Sequence, residues 1–216
     1  MSPRAIVLVT ATLLLGAFAT TSMLYRHTQT SATAQRAAEH GERLIRPHAP
    51  VLGDTTAPVT IVEFFDPGCA TCQAFYAPLK QLIAEHPGKL KLMIRYAPFQ
   101  IGSEQIVALL EATRRQDEFW PVLDVLMDTQ DDWKPQHEAE LERVWKHLEG
   151  LGLDIERLRR GMADPEIAAR IKLDEEDAAA LGIDTTPTFY VNGQPLTRFG
   201  FDNLQKTVAA ALSALE

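Results

Sequence analysis

Cysteine is scarce in this chain: two among 216 residues, Cys69 and Cys72, separated by two positions. A disulfide stabilises mainly by closing a long loop in the unfolded chain, so a bond across so small a loop contributes little to stability and is better suited to being made and broken. The six histidines, His27, His40, His48, His86, His137 and His147, include none at ligand spacing near the two thiols. A four-ligand zinc site is therefore disfavoured, and no metal ligand is expected. Lys and Arg nowhere form a basic run, and the formal net charge is −8. Nucleic acids and anionic membrane surfaces are recognised by clustered cations, so neither is an expected partner. Internal repeats are also missing, and a hydrophobic content of 46% gives enough material for one sizeable core behind a targeting segment.

That segment is the only long apolar run. Residues 5–25 carry no charge and are flanked by Arg4 and Arg26. Two outcomes fit it. Its length matches the ~20 residues of a spanning helix, which makes a retained signal anchor. Alternatively, Ala17-Phe18-Ala19 supplies small residues for cleavage after a shorter apolar core, which makes a signal peptide. Either places the chain beyond Arg26 in a periplasmic or other extracytoplasmic space, and continued apolarity through Met23, Leu24 and Tyr25 favours a tether to the inner membrane. Residues 27–42, rich in Thr, Ser, Ala and Gln, read as a linker.

The rest is organised around Phe64-Phe65-Asp66-Pro67-Gly68-Cys69-Ala70-Thr71-Cys72. Before it, Val59 to Phe65 is β-branched and aromatic on both alternating faces, as a strand covered on both sides should be. Glu63 is the anomaly in that strand. After it, Phe75, Leu79, Leu82 and Ile83 recur at helical spacing as far as Pro87-Gly88, so Cys69 falls at or next to the N-cap, Cys72 falls about one turn inside, and Pro78 should kink the helix. Leu90 to Tyr96 predicts a second strand, parallel to the first because a helix joins them. Arg43 to Ile45 reads as a short strand ahead of both. From Ser103 to Leu181 the pattern is helical, with apolar faces at Ile106/Val107/Leu110, Phe119/Leu123/Leu126, Leu141/Val144/Trp145/Leu148 and Ile155/Leu158/Met162. Asp164-Pro165 is an N-cap followed by a favourable N1 proline, and Gly182 ends that last helix. Thr188 to Val191, the turn pair Asn192-Gly193 and Leu196 to Arg198 read as a hairpin, and Asp202 as the cap of a closing helix.

Thiol-disulfide exchange needs a thiolate, and a helix N-terminus lowers a thiol's pKa through its unpaired N–H groups and dipole. Cys69 is thus the expected nucleophile and Cys72 the resolving thiol. Glu63, six residues before Cys69 on the leading strand, would be a buried acid able to exchange a proton with Cys72. A structural disulfide, half of a metal site, or a solvent-facing Glu63 are the plainer alternatives on residues alone, and most X-Pro bonds such as Thr186-Pro187 are trans.

The segment Ala57 to Phe64 leading into Cys69-Ala70-Thr71-Cys72, a helical stretch, and then Gly182-Ile183-Asp184-Thr185-Thr186-Pro187-Thr188-Phe189-Tyr190-Val191-Asn192-Gly193 resembles the DsbA-like thiol-disulfide oxidoreductase family. Phe119-Trp120 through Gln130-Asp131-Asp132-Trp133 resembles the start of that family's helical domain. The resemblance covers about Arg43 to Leu215. It implies an α/β protein with a thioredoxin fold, residues 43–102 and 183–216, interrupted by a helical insertion at 103–182 between βαβ and ββα halves, behind residues 1–26 and 27–42. It further implies Cys69 as nucleophile, Cys72 as resolving thiol, Glu63 as buried acid, and Pro187 as a cis-proline beside the disulfide, with Thr186 and Pro187 on the substrate-docking edge. No cofactor is implied beyond the redox-active Cys69-Cys72 disulfide. The implied partners are exported proteins with reduced cysteines and a quinone-linked membrane reoxidant of the DsbB type. Ala70-Thr71 stands where strongly oxidising members have Pro-His, which implies a milder oxidant. Thr186 is shared with isomerases and reductases, so a reductase or isomerase is the alternative direction, and a periplasmic copper(I) chaperone is the binding-protein alternative.

Overall fold

The computed structural model describes residues 13–24 and 35–215. Val51–Gly53 (β1), Val59–Phe65 (β2), Leu90–Tyr96 (β3), Thr188–Val191 (β4) and Gln194–Pro195 (β5) form one sheet in the order β1-β3-β2-β4-β5. The central strand β2 runs parallel to β3, with Val59 opposite Leu90 and Phe65 opposite Tyr96, and antiparallel to β4. Ala70–Glu85 (α1) links β2 to β3, completing the expected βαβ half, and Phe201–Ser213 (α8) follows the hairpin to complete the ββα half.

Between the halves lie Ser103–Thr113 (α2), Phe119–Asp128 (α3), Gln130–Trp133 (α4), Leu141–Val144 (α5), Ile155–Met162 (α6) and Pro165–Leu181 (α7). The expected Asp164 cap is present: its side chain accepts from the Glu166 N–H, Pro165 occupies the first turn, and Gly182 ends the helix at φ 70. Such a left-handed C-terminal residue suits glycine because no Cβ penalty arises.

Side-chain alternation along β2 assigns two different jobs to its faces. Val59, Ile61, Glu63 and Phe65 share the face toward α1, whose Phe75, Leu79, Leu82 and Ile83 pack into the larger apolar core. Phe75 also stacks on Phe189 at 5.4 Å between ring centroids. Val62 and Phe64 share the other face, packed against Ala37, Leu44, Ala178, Leu181 and Ile183. This second face holds a buried ionic cluster. Arg95, fully buried on β3, bonds Asp174 and Asp177 of α7, both at 2.7 Å from its Nη2. Arg46 reaches Asp177 at 2.7 Å, Arg43 reaches it at 3.0 Å, and the His48 ring meets Asp174 at 2.7 Å. Charges so deeply placed are tolerable only when each is paired.

Several boundaries differ from expectation. Arg43 to Ile45 is not a strand: Gly41–Arg43 is a 3-10 turn, and the antiparallel partner of β3 is Val51–Gly53. The cause is that Arg43 and Arg46 turn toward Asp177 while Arg95 Nη1 takes the carbonyls of Arg43 and Leu44, so these groups are unavailable to a ladder. The linker reading fails over 35–42, where the chain is helical at 35–39 and Ala37 is buried in the second core; residues 27–34 lie outside the described residues. Pro78 lies inside helix α1, as expected. One longer helix expected over Leu141 to Leu148 is four α residues followed by a 3-10 turn at Trp145–His147, ahead of Gly150 and Gly152 at φ 86 and 73. The hairpin's return strand is Gln194–Pro195 rather than Leu196 to Arg198, with Pro195 opposite Tyr190 and one further bond from the Leu196 N–H to the Phe189 carbonyl at 3.2 Å. The cap of α8 is Gly200, with Asp202 in its first turn. Of the expected anchor, residues 13–24 are helical and positions 5–12 and 25 lie outside the described residues; among the described residues no helix is long and apolar enough to cross a membrane.

Candidate active site

Three separate parts of the chain meet at the C-terminal end of β2. The first is the Asp66-Pro67-Gly68 turn. Asp66 is buried; its Oδ1 accepts from the Gly68 N–H at 2.8 Å and its Oδ2 from the Gln100 N–H at 2.7 Å. An aspartate that closes a turn on its own backbone two residues on is a standard use of this side chain. Gly68 is required by space, since a Cβ there would stand 2.3 Å from the Ser103 hydroxyl oxygen.

The turn delivers Cys69 as N-cap of α1 with extended backbone (φ −83, ψ 121), half-buried, while Cys72 lies one turn in and is fully buried. Both expected placements are met. The two thiols sit in opposite environments. The Cys69 pKa is held down at about 5, foremost by a hydrogen bond from Cys72; desolvation opposes this, and Thr186 with the N–H groups of Cys72 and Thr71 assists it. The Cys72 pKa is pushed well above the ordinary value, first by burial, then by its hydrogen bond to Cys69 and the charge of Glu63.

Glu63 is beneath them, 1% exposed, and its Oε1 has no hydrogen-bond partner among the described residues. Burial, then the Cys69 charge, raises its pKa well above the ordinary carboxylate value. The solvent-facing alternative is thereby excluded.

The third part is the segment after α7. The Thr186-Pro187 peptide is cis, and the Cys69 thiol lies 3.2 Å from the Thr186 carbonyl oxygen. A groove of about 380 Å³ opens there, walled by Thr71, Ile183, Thr186, Pro187, Leu196 and Phe199. Phe199 is 63% exposed and packs on Phe75 at 5.2 Å. Thus Glu63, Cys69, Cys72, Thr186 and Pro187, spread over 125 positions of sequence, converge on one site. Among the described residues no group of three or more His, Cys, Asp or Glu is arranged to hold a metal ion.

The sequence reading assigned no role to Asp66, Gln130 or Lys134, which all touch the turn before Cys69. Gln130 Nε2 donates to the carbonyls of Pro67 at 2.7 Å and Cys69 at 3.2 Å, and Lys134 Nζ to that of Gly68 at 2.6 Å. Only Asp66 carries a signal, the Asp-Pro-Gly turn pattern; the other two come from the four-residue helix α4 and its C-terminal cap, over 60 residues away, whose docking side no periodicity reveals.

Residues 46–210 match the family model described as Thioredoxin. The chain is 30% identical over 168 residues to the probable disulfide bond formation protein D of Bacillus anthracis, covering 73% of this chain and 75% of that protein. It is 32% identical over 164 residues to the Na(+)/H(+) antiporter NhaA of Herminiimonas arsenicoxydans, covering 76% of this chain and 25% of the antiporter. The chain thus spans about a quarter of the length of the antiporters it matches. Among solved structures, a thioredoxin-like oxidoreductase from Silicibacter pomeroyi superposes with TM-score 0.68 at 28% identity, over 80% of this chain and 97% of that one. Oxidised BdbD from Bacillus subtilis gives TM-score 0.65 at 26% identity, over 77% and 94%.

Proposed function

Because the chain belongs to the thioredoxin family, in its DsbA-like branch of thiol-disulfide oxidoreductases, we propose that Cys69 and Cys72 are a redox pair that oxidises cysteines of exported proteins. The observation that carries this reading is the placement of the thiols, a half-buried Cys69 at the helix N-cap beside the cis Thr186-Pro187 bond and a fully buried Cys72 one turn in, with the first thiol's pKa held down and the second's raised. Such a pair favours the state in which Cys69 is a thiolate and Cys72 a thiol, which is the reduced product of substrate oxidation.

In this mechanism a substrate thiolate, laid along the groove beside Thr186 and Pro187, attacks Cys69 Sγ. The Cys69-Cys72 bond breaks, its electron pair leaves on Cys72, and Glu63 supplies the proton that makes Cys72 a thiol. A second substrate thiolate then attacks the substrate sulfur of the mixed disulfide, and Cys69 leaves as thiolate. A low-pKa thiol leaves readily, so the polarity of the pair serves this direction. Two electrons have entered the protein, and a membrane acceptor of the quinone-linked DsbB type returns it to the disulfide. Residues 5–25 would hold the domain at the outer side of the inner membrane. The antiporter similarity concerns a minor part of those proteins, and ion transport forms no part of the proposal.

Replacing Cys69 by Ser should abolish dithiol oxidation, whereas Cys72→Ala should accumulate substrates in covalent mixed disulfides. Full oxidase activity in the Cys69→Ser protein would overturn the mechanism. Ala70-Thr71 favours a milder potential, Thr186 is shared with isomerases and reductases, and the redox state of the pair in cells decides the direction: mostly disulfide for the oxidase, mostly dithiol for a reductase or isomerase.

A further inference from the structure

The turn Pro67-Gly68-Cys69 presents three successive carbonyl oxygens beside the sulfur that must carry negative charge. All three are taken by the insertion: Gln130 bonds those of Pro67 and Cys69, and Lys134 bonds that of Gly68. The two donors stand at i and i+4, hence on one side of a helical turn, and the Lys134 N–H closes on the Gln130 carbonyl at 3.0 Å. That turn is itself immobilised. Gln130 and Trp133 are fully buried, and Trp133 Nε1 donates to the Leu126 carbonyl at 3.0 Å. On the other side, Asp66 holds the Gly68 N–H. Each peptide plane of the turn is therefore gripped from outside the segment.

We propose that Gln130 and Lys134 are positioning residues through which the helical insertion sets the stability of the Cys69 thiolate. A carbonyl dipole that swings toward the sulfur raises the energy of the anion; Gln130 and Lys134 hold the Pro67 and Gly68 oxygens in place, and Gln130 shares the Cys69 oxygen with the Gln73 N–H that begins α1, at 3.1 Å. Lys134 adds a full positive charge at Gly68, the residue next to the nucleophile, and hydrogen bonds involving a charged donor are about twice as strong as neutral ones. The dipeptide between the cysteines, Ala70-Thr71, contains no cation. The insertion thus supplies from outside the motif a charge the motif lacks, and tunes the thiol from a helix remote in sequence. This inference rests on the redox reading above and deepens it.

The test uses the full chain in reduced form with Lys134→Met and Lys134→Arg. The readouts are the ultraviolet titration of the Cys69 thiolate and the equilibrium with glutathione. Lys134→Met should raise the titration midpoint and move the equilibrium toward the disulfide by about tenfold, the change that accompanies one pKa unit; Lys134→Arg should restore both. A folded Lys134→Met protein with unchanged midpoint and equilibrium overturns the inference, as does one that melts earlier while both readouts stay put. Should Lys134→Met fail to fold, Lys134→Gln keeps an uncharged donor for the Gly68 carbonyl and decides on the same two readouts. Wild-type protein that exchanges disulfides while the Lys134 variants match it removes this inference alone; wild-type protein that exchanges none removes the functional reading.

Discussion

Alkylation of the reduced protein across pH gives a sharp test of the paired thiol environments. With the Cys69 pKa at about 5, the thiolate fraction at pH 7 is about 99%, against about 3% for an ordinary thiol near 8.5. The absolute rate is a poor discriminator. Nucleophilicity falls with thiol basicity at a Brønsted slope of about 0.4–0.5, so lowering the pKa by about 3.5 units costs roughly 30-fold per thiolate and cancels the roughly 30-fold gain in thiolate. What survives the cancellation is the profile. Between pH 7 and 5 the Cys69 rate should fall only about twofold, while an ordinary thiol would slow by about 100-fold. Iodoacetamide pulses at a series of pH values, quenched and read by peptide mass, would follow each cysteine separately. Cys72 should stay unmodified in the folded protein because it is buried and held as thiol. A Cys69 midpoint above pH 8, or modification of Cys72 first, would refute the reasoning. The same shift has a stability sign. A thiol whose folded pKa is depressed stabilises the reduced fold as pH rises above about 5, and that contribution is lost as pH falls back through about 5. The melting temperature of reduced relative to oxidised protein should therefore climb between pH 5 and 8.

Two further perturbations probe the buried charges. Glu63 carries a raised pKa and an unpartnered Oε1, so its protonated fold loses stability as pH rises above 4.5, where the unfolded chain ionises. Glu63→Gln should accordingly stabilise the protein at pH 7 by about 1–3 kcal/mol with no gain near pH 4, and should slow exchange; chemical denaturation at the two pH values checks it, and equal effects at both would count against a buried acid. Arg95→Met leaves Asp174 and Asp177 buried with one cation fewer and should cost about 3–5 kcal/mol. Asp177 is desolvated, yet hydrogen bonds from Arg46, Arg95 and Arg43 hold its pKa at about 2, so the loss should be largest above pH 4 and shrink toward pH 2. A loss below about 1 kcal/mol at pH 7 would mean that the cluster re-forms without Arg95.

Much of the fold was legible because the elements around the site obey strong local rules. The strands Val59–Phe65 and Leu90–Tyr96, the Cys69 cap, and the helix from Asp164 to Gly182 emerge where period, cap and breaker agree. Glu63 stands out as a lone charge in an apolar strand, and it is buried. Arg95 carries the same signal in β3, but its meaning depends on two aspartates 79 and 82 positions further on. The N-terminal boundary was misplaced for a related reason. A segment rich in Thr, Ser, Ala and Gln reads as linker when its partners are unknown, and the burial of Ala37 shows that residues 35–42 are fold. Pairings on such scales are set by tertiary packing, to which local propensity is blind.

The strap over the second sheet face has a practical consequence for dissecting this protein. Family similarity begins at residue 46, whereas the physical domain begins no later than Ala37, which is buried against the sheet. A recombinant fragment cut at the similarity boundary would keep Asp177 but discard Arg43 and the carbonyls that hold Arg95. It would also bare apolar surface at Leu181, Ile183 and Tyr190, next to the loop that leads to Thr186. Any measured potential or activity from such a fragment would describe a loosened site, so the excision point belongs ahead of residue 35.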